Sequence, residues 1–269
     1  VTVHPAEPAH PAATGYFGPD SISRRVIADP AAGVGGIRAL FLQALHPRAM
    51  AGVAQHSNFA DDFWPRLQRT AQYVTTVAFG STDQADDAAA RVRAVHRMVR
   101  GIDQVTGLPY SADDPDLLRW VHVTEVSSFL DAVRRAGLKL SDAEADQYYA
   151  EQVRAAALLG ATDVPASCAE VADYLRAVRP ELRASPVARE AALRLALPPM
   201  SLRVQLLTPA RGGWAALAAV AYGLLPGWAR RCYGLPGPPG TALAATVALR
   251  GLRAGALALP LALKPKRQV

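Results

Sequence analysis

A chain of 269 residues with 51% hydrophobic side chains carries enough apolar material for a full core, near the upper limit of what one core holds. Only 7% of residues are aromatic, and the weight of Ala, Leu and Val suits packed helices better than sheets. The net charge of +6 comes from arginines scattered along the chain, with lysine only at Lys139, Lys264 and Lys266. No basic stripe with interleaved aromatics forms, which argues against nucleic-acid binding.

Residues 1–18 are rich in Pro, Ala and His without an apolar run, so they read as a flexible tail and not as a secretory signal. Ile37 to Leu45 opens a helical stretch that His46–Pro47 interrupts, because the residue before proline is pushed out of the helical region. Trp64–Pro65 begins a helix that Gly80 ends. Ser81 to Asp87 supplies the cap and early acids of the next, which is expected to reach Arg100–Gly101. Asp114–Pro115 starts a helix running to Gly137. Ser141 with Glu144, and Ser167 with Glu170, read as capping boxes for helices ending at Gly160 and Val178. Shorter helical pieces follow around residues 186–196, 212–225 and 237–255.

No stretch alternates with period 2 between turn signals, so essentially no sheet is predicted. The expectation is an all-α protein with one domain over residues 19–258 and a basic tail over 259–269. Trp214 to Leu225 is too short to span a bilayer, and Arg250, Arg253 and Pro260 break the apolar run from Thr241 to Leu263. Lys264, Lys266 and Arg267 leave room for a peripheral contact with lipid. Cys168 and Cys232 lie far apart without a metal-binding pattern, which fits a reduced, cytoplasmic setting.

Dinucleotide, Walker-type, GxSxG and HExxH motifs are all missing from the sequence. A di-iron bundle has only the reversed spacing His122-Val-Thr-Glu125 in its favour. What remains is a set of polar residues at the edges of apolar helix faces. His96 sits on the shoulder of the stripe Ala85, Ala88, Val92, Val95 and Val99, with Arg93 and Arg100 on the same side. A neutral imidazole with two guanidinium groups beside it suits a haem iron and its propionates; a hydrogen-bonded core histidine with surface arginines has the same spacing.

Arg66, Arg69 and Thr70 lie with Tyr73 along the apolar line Leu67, Val74, Val77 and Ala78, fitting either a pocket for O2 or an acidic ligand, or a solvated helix edge. His122 and Glu125 fall on the face of Leu118, Val121, Phe129 and Val133, so they either bond each other or a third partner, or form a pocket-facing acid/base pair. His46 and His56 flank a helix break, where caps and satisfied core histidines are common.

Taken in order, ALHPRAMAGVAQHSNF, RLQRTAQYVTTVAFG, RVRAVHRMVRG and YSADDPDLLRWVHVTEVSSF resemble the MpaB-type oxygenase family, to which the rubber oxygenases belong. LSDAEADQYYAEQVRAAALLG, VPASCAEVADYL and LLPGWARRCYGLP look like its C-terminal half, so the resemblance spans roughly residues 20–255. It implies an all-α fold holding haem b, with His96 as the iron ligand and Arg100 four residues on. Arg66-Leu-Gln-Arg69-Thr70 stands where rubber oxygenases carry Arg-x-x-Lys-Thr. A guanidinium is a poor iron ligand, so the distal position is expected to be open, or filled by water, His56 or His122. Glu125 and Glu151 are the acids available, but neither lies in the segment of the rubber oxygenases' catalytic glutamate, and polyisoprene cleavage is not implied. The resemblance implies an oxidoreductase using O2 on an apolar, isoprenoid-like substrate. A haem sensor without turnover, or a cofactor-free helical protein docking on membranes, are the alternatives.

Overall fold

Each break in the chain supplies a helix start, and each segment between breaks buries an apolar face. The computed structural model describes residues 15–56 and 63–259. Its helices are α1 (Ile22–Ala28), α2 (Ala31–Gln43), α3 (Pro47–His56), α4 (Phe63–Phe79) and α5 (Thr82–His96). A hairpin of β1 (Arg100–Ile102) and β2 (Pro109–Ser111) follows. Then come α6 (Pro115–Arg135), α7 (Asp142–Leu159), α8 (Cys168–Ala177), α9 (Pro186–Ala196) and α10 (Leu202–Leu207). The last are α11 (Ala210–Gly223), α12 (Gly227–Cys232) and α13 (Thr241–Ala258). No described helix is long and apolar enough to cross a membrane.

The caps read from the sequence hold their helices. Ser141 and Glu144 exchange hydrogen bonds as a full capping box on α7, and Ser81 with Gln84 does the same on α5. Ser167 accepts from the Glu170 amide, but the Glu170 carboxylate turns to Ala166, so that box is open. His46 accepts from the Ala49 amide at the start of α3 and stacks obliquely near Trp120, a capping role.

The centre of the core is α2 lying along α6, the most extensive helix contact in the molecule. Phe41, Leu42, Trp120, Val123 and Val133 are fully buried there, each stabilising the fold by about 1.5–3 kcal/mol. Gly35 makes the approach possible: a Cβ would stand 2.7 Å from the Ser128 carbonyl oxygen. Arg38 reaches across this contact to Ser128 Oγ (2.6 Å) and the Leu224 carbonyl (3.1 Å), with Asp131 at 3.5 Å. One buried guanidinium thereby ties α2, α6 and the end of α11 together. Arg253 of α13 pairs bidentately with buried Asp29 at the α1–α2 turn.

Four expectations need correction. The sheet is small but present: three-residue strands are too short to show alternation. Asp103 organises the turn between them, accepting from the Val105 and Thr106 amides, with Gly107 at φ 71°. Helix α5 stops at His96, so Arg100 lies in β1 and does not share a helix with it. The stripe on α5 also breaks, since Val95 is 61% exposed. The N-terminal boundary moves too: Phe17 is buried and Tyr16 donates to Asp86 (2.6 Å), so residues 15–18 belong to the packed domain. The rest of the expected tail, 1–14, and residues 260–269 of the basic tail lie outside the described residues.

Candidate functional site

Helices α4, α5 and α6 wall a cavity of about 890 Å³, with α3, α7, α9 and Phe17 completing it. That is near the upper end of ligand-binding pockets, ~300–1,000 Å³. Its wall is mainly aliphatic: Leu67, Val74 and Val77 from α4, Val92 from α5, Leu118 and Phe129 from α6. The apolar stripes that predicted these helices face this space as well as the core.

Seven of the residues singled out in the sequence meet here. Arg66, Arg69 and Thr70 come from α4, His96 from the last residue of α5, His122 and Glu125 from α6, and His56 from the end of α3. Arg93 and Arg100 do not line the cavity. Arg93 donates to the Leu158 carbonyl, and Arg100 is an exposed side chain paired with Asp113 at 3.2 Å. The premature end of α5 is the reason for the second displacement. Glu151 is also elsewhere: it accepts from the Ser23 amide (2.8 Å) and the Ile22 amide (3.3 Å), capping α1.

The cavity's polar groups fall into two kinds. Some are engaged. His56 Nε2 donates to the Arg100 carbonyl at 3.0 Å and packs edge-on against Tyr110, which leaves only Nδ1 for other work. Thr70 Oγ1 donates back to the Arg66 carbonyl one turn earlier. Others have no protein partner: His96 Nδ1, His122 Nε2 and the Tyr73 hydroxyl, all enclosed. Glu125 forms no ion pair or hydrogen bond with His122, so the expected pairing of these two does not occur.

Enclosure sets their charge. Burial pushes the Glu125 carboxyl up to about 7, with no cation nearby to oppose it. Burial takes His122 down to about 4, although the Gln152 backbone carbonyl beside the ring favours a proton on it. His96 is lowered by burial; the Asp113 carboxylate opposes that shift, and the Arg66 guanidinium adds to it more weakly. Tyr73 is raised by burial and by Glu125. Near neutral pH the cavity therefore presents neutral imidazoles, a phenol and a carboxyl poised between its two forms. Such groups suit proton transfer and the ligation of a soft metal centre.

Tyr73 and Gln152 are the residues whose part the sequence left unassigned. Tyr73 follows Thr70 by three on α4, and that spacing alone puts it on the cavity face. Gln152 was marked only by standing between Tyr148 and Ala156 on the buried face of α7. Among the described residues no three His, Cys, Asp or Glu side chains cluster so as to hold a metal ion by themselves. The donors on this wall are single imidazoles, the kind of donor that completes an iron already held by a porphyrin.

A family model described as ER-bound oxygenase mpaB/B'/Rubber oxygenase, catalytic domain, matches residues 24–256. No curated protein and no solved structure was found to match the chain.

Proposed function

Because the chain belongs to the family of the mpaB and rubber oxygenase catalytic domain, we propose that it is a haem b-dependent oxygenase acting on an apolar substrate. The observation that carries this reading is the His96 imidazole: neutral, on the wall of a large aliphatic cavity, with a ring nitrogen that bonds to no protein group. His96 would hold the iron, and haem b, when bound, supplies the binding and activation of O2. With Arg93 and Arg100 turned away and Arg48 paired with Asp114, the other arginines on the cavity wall, Arg66, Arg69 and Arg91, would meet the propionates.

The chain's own contribution is enclosure, orientation and proton handling. Leu67, Val74, Val77, Leu118 and Phe129 exclude water from the substrate, which strengthens every polar interaction inside. Glu125 holds or releases a proton at its carboxyl oxygen close to neutral pH. Thr70 and Tyr73 present hydroxyls from α4 to the same space.

One observation favours a second reading. His122 also has an unpartnered ring nitrogen on the cavity wall, which suits a haem closed by two imidazoles and serving without turnover. An absorption spectrum of protein from haem-supplemented cells, with dithionite and then CO, separates the two. The oxygenase reading predicts a Soret band that shifts on adding CO. A band indifferent to CO supports the closed form, and a folded protein with no Soret band overturns both.

A further inference from the structure

Three polar groups share the α4 and α6 walls of the cavity. His122 and Glu125 are one turn apart on α6, and Tyr73 projects from α4 within electrostatic range of Glu125. The Tyr73 hydroxyl and His122 Nε2 are enclosed and bond to no protein atom. A buried polar atom without a partner is costly, about 1–3 kcal/mol each, so a pure hydrocarbon filling this space would leave the loss standing. Any water there would have to be displaced by a substrate offering the same hydrogen bonds.

From this arrangement we infer that the Tyr73, His122 and Glu125 end of the cavity is a subsite for a hydroxyl group carried by an otherwise apolar substrate. The inference deepens the oxygenase reading and rests on it for the substrate's fate, but not for its binding. The donor and acceptor pattern selects the group. Tyr73 offers an O–H. A neutral His122 carries its proton on one ring nitrogen; with the proton on Nδ1, the buried and unpartnered Nε2 is an acceptor. A hydroxyl satisfies both at once, accepting from Tyr73 and donating to His122. An ether or ketone accepts only and leaves the imidazole unpaired. A charged head group is opposed at this end, where no cation acts on His122 or Glu125. Glu125 adds a carboxyl that donates when protonated and accepts when ionised, so it tolerates either orientation of the hydroxyl.

Titration calorimetry of the purified protein, with its haem content measured separately, tests this with two isomers: octan-1-ol and heptyl methyl ether. The alcohol is expected to bind about tenfold more tightly, the ratio of one extra satisfied hydrogen bond. His122→Leu, which removes the acceptor, should bring the two ligands to within about twofold of each other, whereas Tyr73→Phe, which removes a single oxygen atom, should weaken both by a similar factor of about tenfold. Equal binding of the isomers by the unaltered protein would overturn the inference, as would a preference that survives His122→Leu, or a Tyr73→Phe protein that binds both ligands as tightly as the unaltered one. If His122→Leu fails to fold, the Tyr73→Phe result decides alone. The heat signal does not depend on haem: a missing Soret band with the alcohol preference intact would sink the oxygenase reading only.

Discussion

Glu125 is the residue through which pH acts most directly on this protein. Its carboxyl titrates at about 7 in the folded chain against an ordinary 4.5. Below pH 4.5 it is protonated folded or unfolded, and burial of the neutral acid carries no charge penalty. As pH rises through 4.5 the unfolded chain releases its proton first, so the folded state loses stability until about pH 7. At about 1.4 kcal/mol per pH unit the deficit is on the order of 3 kcal/mol. Glu125→Gln should therefore raise stability by that order in urea unfolding at pH 8 and change it little at pH 4. An equal effect at both values would contradict the assigned cause. His122 has the opposite sign: its folded value of about 4 makes the protein lose stability as pH falls from 6.5 towards 4. Between those limits neither group need be charged, which suits an apolar cavity. Residue type and helical spacing were enough to place His122 and Glu125 on one face. Whether they touch was not legible, because i, i+3 proximity does not fix the direction of two side chains that each face open space.

The pairing of α2 with α6 shows what a helix-scale reading misses. Ile37 to Leu45 was readable as helical, but α2 begins at Ala31, and Ala31-Ala-Gly-Val-Gly-Gly36 has the weak propensity of a loop. Tertiary packing overrides it: Gly35 gives α6 its close approach, and the burial gained outweighs the backbone entropy. The two glycines should then respond oppositely to the same change. Gly35→Ala meets the Ser128 carbonyl and should destabilise by about 1–3 kcal/mol. Gly33→Ala meets nothing within 4 Å and should stabilise by about 0.5–1 kcal/mol. Thermal unfolding of both variants checks the pair; similar shifts for the two would mean that the close approach is not what holds α2 on α6. By contrast the helices from α6 to α9 were legible nearly to the residue, since Asp114, Ser141, Ser167 and Ser185 each cap one. The hairpin was not, because two strands of three residues carry no periodicity and depend on the Asp103 turn.

At the scale of the whole molecule, the cavity is the feature that sequence order could only suggest. Its walls come from segments more than 170 residues apart, from Phe17 to Leu195, and closure depends on how α3, α4, α5, α6, α7 and α9 are set against one another. Residue chemistry named most of its polar lining in advance. Arg100 was misplaced because α5 ends one turn early, which a pattern of arginines and valines does not announce, and Arg93 because its side chain turns to the Leu158 carbonyl. The family match over residues 24–256 and the helical architecture agree on the class of protein; the haem and its anchor remain the central claim. The direct test is haem content of unaltered protein and of His96→Ala, purified from haem-supplemented cells, with helicity checked by circular dichroism. The account predicts a Soret band with close to one haem per chain in the unaltered protein, and its loss in a His96→Ala chain that stays folded. Full retention of haem by folded His96→Ala would contradict it and move the iron to another imidazole of the same cavity.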